Sequence, residues 1–292
     1  MILELTLILD SLPMKNRKKI HIYSGLLVLG VIVCIVFFIR SYQLYISRTW
    51  NYEGNFAVLN PDELTVTVYM PARESLYTIV LPGSAYVTVP GGYGMYRLED
   101  VRELSMSEKQ GDRLLSLTVT ASFGLPVMAT RESLSIADRV LIFLAEQYYS
   151  GRRESLSLAD ATIFDTETRL DGEQIERLDQ YKRITYFAEL FWEEGIVNEG
   201  LAVGIFNASD TPGLAASLTQ SLETIGIRVI DSANWGGAPV SDTCIVRISE
   251  AVRSSVTANR LRSFLTCREE ILASDDTRFA IRIIVNDVPF RQ

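Results

Sequence analysis

Histidine and cysteine are scarce, with one histidine and three cysteines in 292 residues. The histidine, His21, lies in an apolar run, so the remaining sequence offers no imidazole for a Ser-His-Asp triad or an HExxH zinc site. Cys34 lies in the same run, which leaves Cys244 and Cys267. Two thiolates are too few for a cysteine-based zinc cage. We therefore predict no catalytic residue of these types, no metal and no cofactor.

Basic residues are also scarce beyond Arg40. The whole chain has 28 Lys and Arg and 36 Asp and Glu, of which five and two lie at or before Arg40, so residues 41–292 carry a net charge of about −11. Nucleic acids and other polyanions are bound by basic surfaces. We therefore expect no nucleic-acid partner.

One long apolar run extends from Ile20 to Ile39 and is uncharged from Ile22 onward. About 18 such residues are enough to cross a bilayer as a helix. Four basic residues lie within 15–19, directly before the run. Since positive charge favours the cytoplasmic side, the sequence predicts a single-pass membrane protein with a cytoplasmic N-terminus and an extracytoplasmic bulk.

Two alternatives to this anchor deserve weighing. A cleaved signal peptide would also have a basic start and an apolar core, but no small-residue cleavage pattern follows Arg40. A buried core helix is disfavoured by the basic flank. A separate hypothesis is that translation begins at Met14, because residues 1–13 are apolar and acidic. Mass spectrometry of the native N-terminus would test it.

Residues 56–196 alternate between strand and helix patterns, which predicts an α/β or α+β domain. Pro90–Gly94 is glycine-rich but lacks GxGxxG spacing and a lysine, so we interpret it as a turn. Within 133–149 the predicted inward stripe is Leu134, Ala137, Leu141, Leu144 and Tyr148. The predicted strands are 64–70, 76–81 and 85–89, and the predicted helices are 97–109, 112–123, 133–149 and 175–194, with 184–188 open as a strand.

Residues 197–292 have the clearest pattern, a β-α-β-β-α-β sandwich. Thr211 is a suitable cap for the first helix, Pro212 suits its first position, and Gly226 can end it. The strands are predicted over 201–207, 227–231, 243–249 and 279–285. The second helix is predicted over 256–272.

Two short motifs open this region. Asn207-Ala-Ser ends the first strand, and Gly213-Leu-Ala starts the following helix. Their order resembles the C-terminal domain of LytR/CpsA/Psr-type envelope proteins, in which a strand ending in Asn-Gly-Thr or similar precedes a Gly-Leu-Ala helix start. We interpret the motif residues as structural, since asparagine can bond the backbone of a turn and the Gly213-Leu-Ala segment starts and packs the helix. The motif residues are Asn207, Ser209, Gly213, Leu214 and Ala215.

A second stretch, about 56–130, resembles the LytR/CpsA/Psr catalytic domain, and its segment 76–91 looks like the core of that domain. In that family the domain transfers glycopolymers from a polyprenyl-pyrophosphate lipid onto the cell wall, and the Arg and Asp of a Pro-Arg-Asp-Thr motif help to hold the pyrophosphate and its metal. This chain has Gly83 and Ser84 at those positions. Because a pyrophosphate needs fixed positive charge and a carboxylate-held metal, we expect a non-catalytic domain. We predict solvated surface charges at Arg97, Arg102, Arg113 and Arg131.

The sequence thus predicts five segments: a cytoplasmic tail (1–19), a transmembrane helix (20–39), a juxtamembrane stalk (40–55), a degenerate LytR/CpsA/Psr-like domain (56–196) and a LytR C-terminal-like domain (197–292). In an oxidising exterior Cys244 and Cys267 could form a disulfide, with two buried thiols as the alternative. The oligomeric state stays open.

The favoured function is binding, scaffolding or regulation in cell-wall and glycopolymer assembly, with envelope proteins or glycopolymers as partners. The first alternative is an active glycopolymer phosphotransferase that acts on a polyprenyl-pyrophosphate-linked substrate. The second is a bitopic division or secretion assembly factor that shares only the fold.

Overall fold

The structure is a computed structural model. It describes residues 29–40, 42–43, 48–50, 52, 54–149, 151–168, 172, 174–187, 190–272 and 278–287. Contacts divide the chain into two units, 1–48 with 135–137 and 49–134 with 138–292. In the first unit residues 29–40 are helical, and the first nine residues of the predicted anchor, 20–28, lie outside the described residues. Among the helices that the structure describes, none is both long enough and apolar enough to cross a bilayer.

The second unit is a mixed α/β structure with several sheets, which confirms the predicted class. The elements up to residue 199 are β1 (Phe56–Asn60), β2 (Thr65–Met70), β3 (Ser75–Val80), β4 (Tyr86–Val89), β5 (Gly94–Arg97), α1 (Leu98–Ser107), α2 (Arg113–Phe123), β6 (Val127–Thr130), α3 (Ile136–Tyr148), β7 (Arg153–Ser157), β8 (Phe164–Thr168), β9 (Gln174–Leu178), α4 (Gln180–Phe187) and α5 (Glu194–Glu199). They continue with β10 (Val203–Asn207), α6 (Leu214–Thr224), β11 (Val229–Asn234), β12 (Cys244–Ile248), α7 (Val256–Phe264), β13 (Arg268–Ile271) and β14 (Ile281–Val285).

The strands of the described residues form three sheets. The first sheet has the order β6-β1-β2-β3-β7, the small sheet the order β5-β4-β9-β8, and the C-terminal sheet the order β11-β10-β14-β12-β13. In the C-terminal sheet β10 runs parallel to both β11 and β14, while β12 is antiparallel to β14. The central strands are therefore paired on both sides and present apolar faces to the core.

Helix α2 is central to the packing. Eight of its residues are buried, including Ser116, Thr118 and Thr120, as expected of a helix enclosed on most sides. It packs against α6, and the Ser221 hydroxyl of α6 donates to the Thr120 carbonyl at 3.2 Å. The regions predicted as separate domains are thus in contact here. The domain limits themselves stay predictions.

The predicted stalk over 40–55 is not exposed along its whole length. Trp50 is 1% exposed, and its ring stacks on Phe56 with centroids 5.2 Å apart. The indole nitrogen donates to the Gly54 carbonyl at 3.0 Å. Burying a tryptophan of this size contributes substantially to the core, so the end of the predicted stalk is part of the packed fold.

The predicted inward stripe of α3 is wrong at two positions. Leu144 and Tyr148 are 55% and 67% exposed. The buried face of the helix instead contains Asp138, Ile142 and Ala145. The prediction missed this face because it excluded a charged residue from the core, whereas the carboxylate of Asp138 is paired there with backbone amides.

Two predicted helices are shorter than expected. Residues 175–178, predicted as the start of a helix, belong to strand β9 (Gln174–Leu178). The helix predicted over 256–272 ends at Phe264, because Leu265 is extended with φ −109° and ψ 145°. The chain then forms β13 beside β12. The C-terminal region consequently has one strand more than the predicted sandwich.

The start of α6 also differs from the prediction. Thr211 and Pro212 lie in a turn, and the helix begins at Leu214 after Gly213, whose φ of 80° is left-handed. Glycine adopts this conformation without a steric penalty. Gly204 of β10 has a different reason to lack a side chain, since an added Cβ would lie 2.6 Å from the Phe279 ring.

Candidate functional site

A groove of about 1100 Å³ lies between the small sheet and α6. On one side its lining comes from β4, the glycine-rich turn at 90–94 and Met95. On the other side it comes from the turn at 211–213 and from α6. Apolar lining residues include Val87, Val89, Met95, Leu178, Leu214 and Leu218. The volume slightly exceeds the usual range for small-molecule sites, about 300–1,000 Å³.

Charged side chains at the groove are mostly acidic. Among the described residues the lining includes Asp165, Glu167, Asp179 and Asp287 but a single guanidinium, that of Arg177. Arg177 donates to the Glu167 carboxylate at 3.2 Å, and Lys182 pairs with Asp165. The charge that remains around the groove is therefore negative.

Asp179 has a structural role at this rim. Its Oδ1 accepts the backbone N–H groups of Lys182 at 2.9 Å and Tyr181 at 2.8 Å, at the start of α4. These bonds, first of all that from the Lys182 amide, lower the pKa of Asp179. The carboxylate thus stays charged and caps the helix.

The predicted motif residues build the turn that forms one wall. Asn207 donates from Nδ2 to the Thr211 carbonyl at 2.8 Å, and its Oδ1 accepts the Ser209 amide at 3.0 Å. The Ser209 hydroxyl in turn accepts the Thr211 amide at 3.1 Å. This network closes the turn, after which Gly213 and Leu214 line the groove. Ala215 lies on the buried side of α6.

Gly83 and Ser84, at the positions of the catalytic motif, lie between β3 and β4 and are not among the described lining residues. The Gly83 carbonyl accepts the Glu99 amide at 3.0 Å. A Cβ at Gly83 would lie 3.1 Å from the Glu99 carboxylate. An acidic side chain therefore lies close to the backbone position at which the family motif has arginine.

The predicted surface arginines behave differently from one another. Arg113 and Arg131 are exposed, and Arg97 lies 3.8 Å from Glu99. Arg102 is not a free solvated charge, because it pairs with Asp62, with Asp112 at 3.1 Å and with Glu132 at 3.8 Å. Its hydrogen bond to Asp62 is the main cause that raises the pKa of Arg102. Acidic neighbours thus occupy this guanidinium.

Sequence reasoning missed a buried arginine behind α2. Arg183 is 1% exposed and donates to the Ser122 carbonyl, near the end of α2. Burial lowers the pKa of Arg183 to about 10, and Glu223 partly opposes this shift. The guanidinium thus bonds the backbone near the end of α2 and helps to fix this helix.

No group of three or more His, Cys, Asp or Glu able to hold a metal ion occurs in the described part of the chain. Cys244 and Cys267, the remaining predicted pair, are joined in a disulfide. The bond ties β12 to the residue that precedes β13. It lies in the C-terminal sheet and serves as a structural link.

Residues 200–287 match the family model described as LytR cell envelope-related transcriptional attenuator. This region is similar to the LytR C-terminal domain, and we refer to it by that name. The match confirms the resemblance drawn from the Asn207 and Gly213 motifs. The LytR C-terminal domain supplies the α6 wall of the groove. Among curated proteins, none matches the chain.

Solved structures similar to the chain include TagT of B. subtilis, with 12% identity, coverage of 47% of this chain and 89% of that chain, and a TM-score of 0.35. A LytR-CPS2A-psr family protein (TagT) with bound octaprenyl pyrophosphate lipid shares 11% identity over 46% of this chain and 88% of that chain, with a TM-score of 0.30. A transcriptional regulator from Enterococcus faecalis shares 9% identity over 61% and 91%, with a TM-score of 0.34. TM-scores this low support no conclusion about the site.

Proposed function

We propose that the chain is a membrane-anchored protein of the cell envelope that binds a component of cell-wall or glycopolymer assembly without transferring it. The apolar run at 20–39 would be the anchor, and the basic cluster before it would keep the N-terminus in the cytoplasm. The Cys244–Cys267 disulfide supports an extracytoplasmic bulk, because disulfides persist in oxidising compartments. The LytR C-terminal domain supports the envelope setting.

The negative charge of the groove is the observation that supports a non-catalytic role. A bound pyrophosphate would need several converging guanidinium or ammonium groups, or a metal held by carboxylates. Here the one lining guanidinium, Arg177, is already paired with Glu167. The other charged lining residues are carboxylates, which would repel a pyrophosphate.

The ligand favoured by such a groove is uncharged or protein. The apolar surfaces of Met95 and Leu214 can bury the apolar faces of sugars or of side chains. The carboxylates at the rim can accept hydrogen bonds from hydroxyl groups or pair with basic residues. A neutral glycopolymer or an envelope protein with basic residues therefore fits better than a polyanion.

Site-specific photo-crosslinking in cells tests the proposal on the full-length protein. Benzoylphenylalanine at Met95, which is 37% exposed in the groove, is expected to capture an envelope protein or a glycopolymer. The matched control is Met106, which is 48% exposed on α1 and does not line the groove. Equal products from both positions, or none from Met95, would contradict a binding role for the groove. Separately, carbonate extraction should leave the full chain in the membrane pellet if residues 20–39 form an anchor.

A further inference from the structure

Helix α3 carries large apolar side chains on its solvent-exposed side. Val140 is 54% exposed, Phe143 58%, Leu144 55% and Tyr148 67%. Their spacing of three, four and eight residues places them on one face of the helix. Single exposed apolar residues need no explanation, but a contiguous face of this kind marks an interaction surface. We call these four residues the α3 face.

The opposite side of α3 fixes the helix to the point at which the polypeptide enters the fold. Asp138 is fully buried and accepts the backbone N–H groups of Thr49 at 3.0 Å and Trp50 at 3.0 Å. Ile142 and Ala145 belong to the same core as Trp50. The position of α3 is thus coupled to residue 49.

Only eight residues, 41–48, separate Arg40 from Thr49 in the sequence. A stretch of this length can extend over about 30 Å at most. If residues 20–39 span the bilayer, as in the proposed function on which this inference rests, this length keeps Thr49, and with it the hydrogen-bonded Asp138 of α3, within about 30 Å of the end of the anchor.

The charge of the exposed side agrees with a lipid contact. The other exposed residues of α3 are Ile136, Arg139 and Gln147, and Glu146 beside them is half-buried and accepts the Tyr69 hydroxyl at 3.0 Å. At the end of the face the Tyr148 hydroxyl donates to the exposed Glu74 at 3.1 Å, and Glu74 also pairs with Arg152. The described exposed side of α3 therefore carries a basic residue and no acidic one, although residues 41–292 as a whole are strongly acidic. Aromatic, aliphatic and basic side chains together are typical of helices that lie in a membrane interface.

We infer that the α3 face lies on the extracytoplasmic surface of the bilayer, with Phe143 and Leu144 among the lipid head groups. This contact would give the LytR C-terminal domain and the groove a fixed orientation relative to the membrane. The occupant is the lipid surface, and a second copy of the chain is the competing outcome.

Spin-label accessibility tests the inference on the full-length protein in nanodiscs of phosphatidylethanolamine and phosphatidylglycerol. The label is placed at Phe143→Cys in a Cys34→Ser background, which leaves the Cys244–Cys267 disulfide intact. The matched control is Ile271→Cys, an apolar position that is 63% exposed in β13. Label at position 143 should collide several-fold less with a water-soluble nickel complex, and more with oxygen, than label at position 271.

Equal nickel accessibility at positions 143 and 271 would overturn the inference. Strong dipolar coupling between labels at position 143 of two copies, without protection by lipid, would also overturn it and assign the face to self-association. A label on the native Cys34 separates this failure from failure of the anchor. If the label at Cys34 collides mainly with oxygen while the label at position 143 collides mainly with the nickel complex, only the α3 contact is rejected. If the label at Cys34 collides mainly with the nickel complex, the anchor is rejected.

Discussion

The C-terminal sheet and the small sheet form a contrast in burial. In the C-terminal sheet Val203, Ile205 and Ile283 are fully buried, and the strands that carry them are paired on both sides. In the small sheet most residues of β5 and β8 are exposed. Local stability follows buried apolar contact. The groove thus lies between α6, which is packed on the C-terminal sheet, and a small sheet whose outer strands are largely exposed.

A buried ion pair connects the LytR C-terminal domain to the region before it. Arg260 of α7 lies 2.8 Å from Glu193, and both side chains are less than 10% exposed. Glu193 also accepts the Asn55 amide at 3.0 Å. Burial raises the pKa of Glu193, while Arg260 and the Asn55 amide oppose the shift. Because both charges are mutually satisfied, the pair holds the two regions together.

The largest loss of stability is expected for Arg260→Ala. We expect a loss of about 3–5 kcal/mol in the free energy of unfolding, because Glu193 would remain buried without its partner. Urea denaturation of the full chain measures this loss. The control Arg268→Ala removes a 56% exposed arginine that pairs with Asp242 and Glu270, and it should cost less than about 1 kcal/mol. Equal losses would show that the buried pair does not connect the regions.

Two leucines of α6 allow a core position and a groove position to be compared within one helix. Leu222 is fully buried, whereas Leu214 is partly buried and lines the groove. Leu222→Ala should lower the unfolding free energy by about 3 kcal/mol through lost burial and a cavity, and Leu214→Ala by about 1 kcal/mol. The Met95 crosslink should weaken in Leu214→Ala. A similar stability loss for both variants would mean that Leu214 belongs to the core rather than to the groove.

Alanine substitutions at two glycines separate the cost of side-chain crowding from the cost of a left-handed backbone. Gly204→Ala places a Cβ 2.6 Å from the Phe279 ring and should cost about 2 kcal/mol by overpacking. Gly213→Ala has no atom within 4 Å but keeps φ at 80°, so the left-handed backbone alone should cost about 1 kcal/mol. Thermal unfolding of the two variants checks the order. The reverse order would contradict the assigned reasons.

The smallest expected effect is that of Glu199→Gln. Burial opposes ionisation of Glu199, but the amides of Thr257 and Val256 and the Thr257 hydroxyl more than offset it, so the pKa of Glu199 is lowered. The carboxylate contributes about 1 kcal/mol. This contribution is present above the unfolded pKa of about 4.3 and is lost as the pH falls through the lower folded pKa. Urea midpoints at several pH values should therefore converge for the two proteins in acid, and a difference that persists there would contradict the assignment.

Secondary structure is predicted well from the sequence where apolar residues are buried at regular intervals on one face. In α6, Leu218 and Leu222 repeat every four residues and are buried as predicted. In β12, Cys244, Val246 and Ile248 alternate and are buried. Strand β1 has buried residues on both faces, so its apolar run showed no alternation and the strand was missed.

Long-range pairing explains the other misses. Strand β13 pairs with β12, and the Cys244–Cys267 disulfide joins β12 to the residue before β13. A local helix pattern contains no information about such long-range contacts. β8 and β9 are mostly exposed and polar, so they lack the apolar period that marks a strand.

The groove could not be predicted because its walls come from distant segments. Residues near 90, 121, 177 and 213 meet only in the folded protein. The one local signal was the glycine-rich turn at 90–94, which by itself is no more than a turn. The LytR C-terminal domain was recognised because its motif residues are adjacent in sequence and build one turn.

The most direct test of the account is transfer of a glycopolymer from a polyprenyl-pyrophosphate lipid by the full-length protein in nanodiscs with Mg²⁺. The account predicts no transfer above the protein-free background, because acidic side chains surround the single lining guanidinium. Transfer that is abolished by Arg177→Ala, Arg97→Ala or Arg113→Ala would contradict it and show that the chain is a transferase.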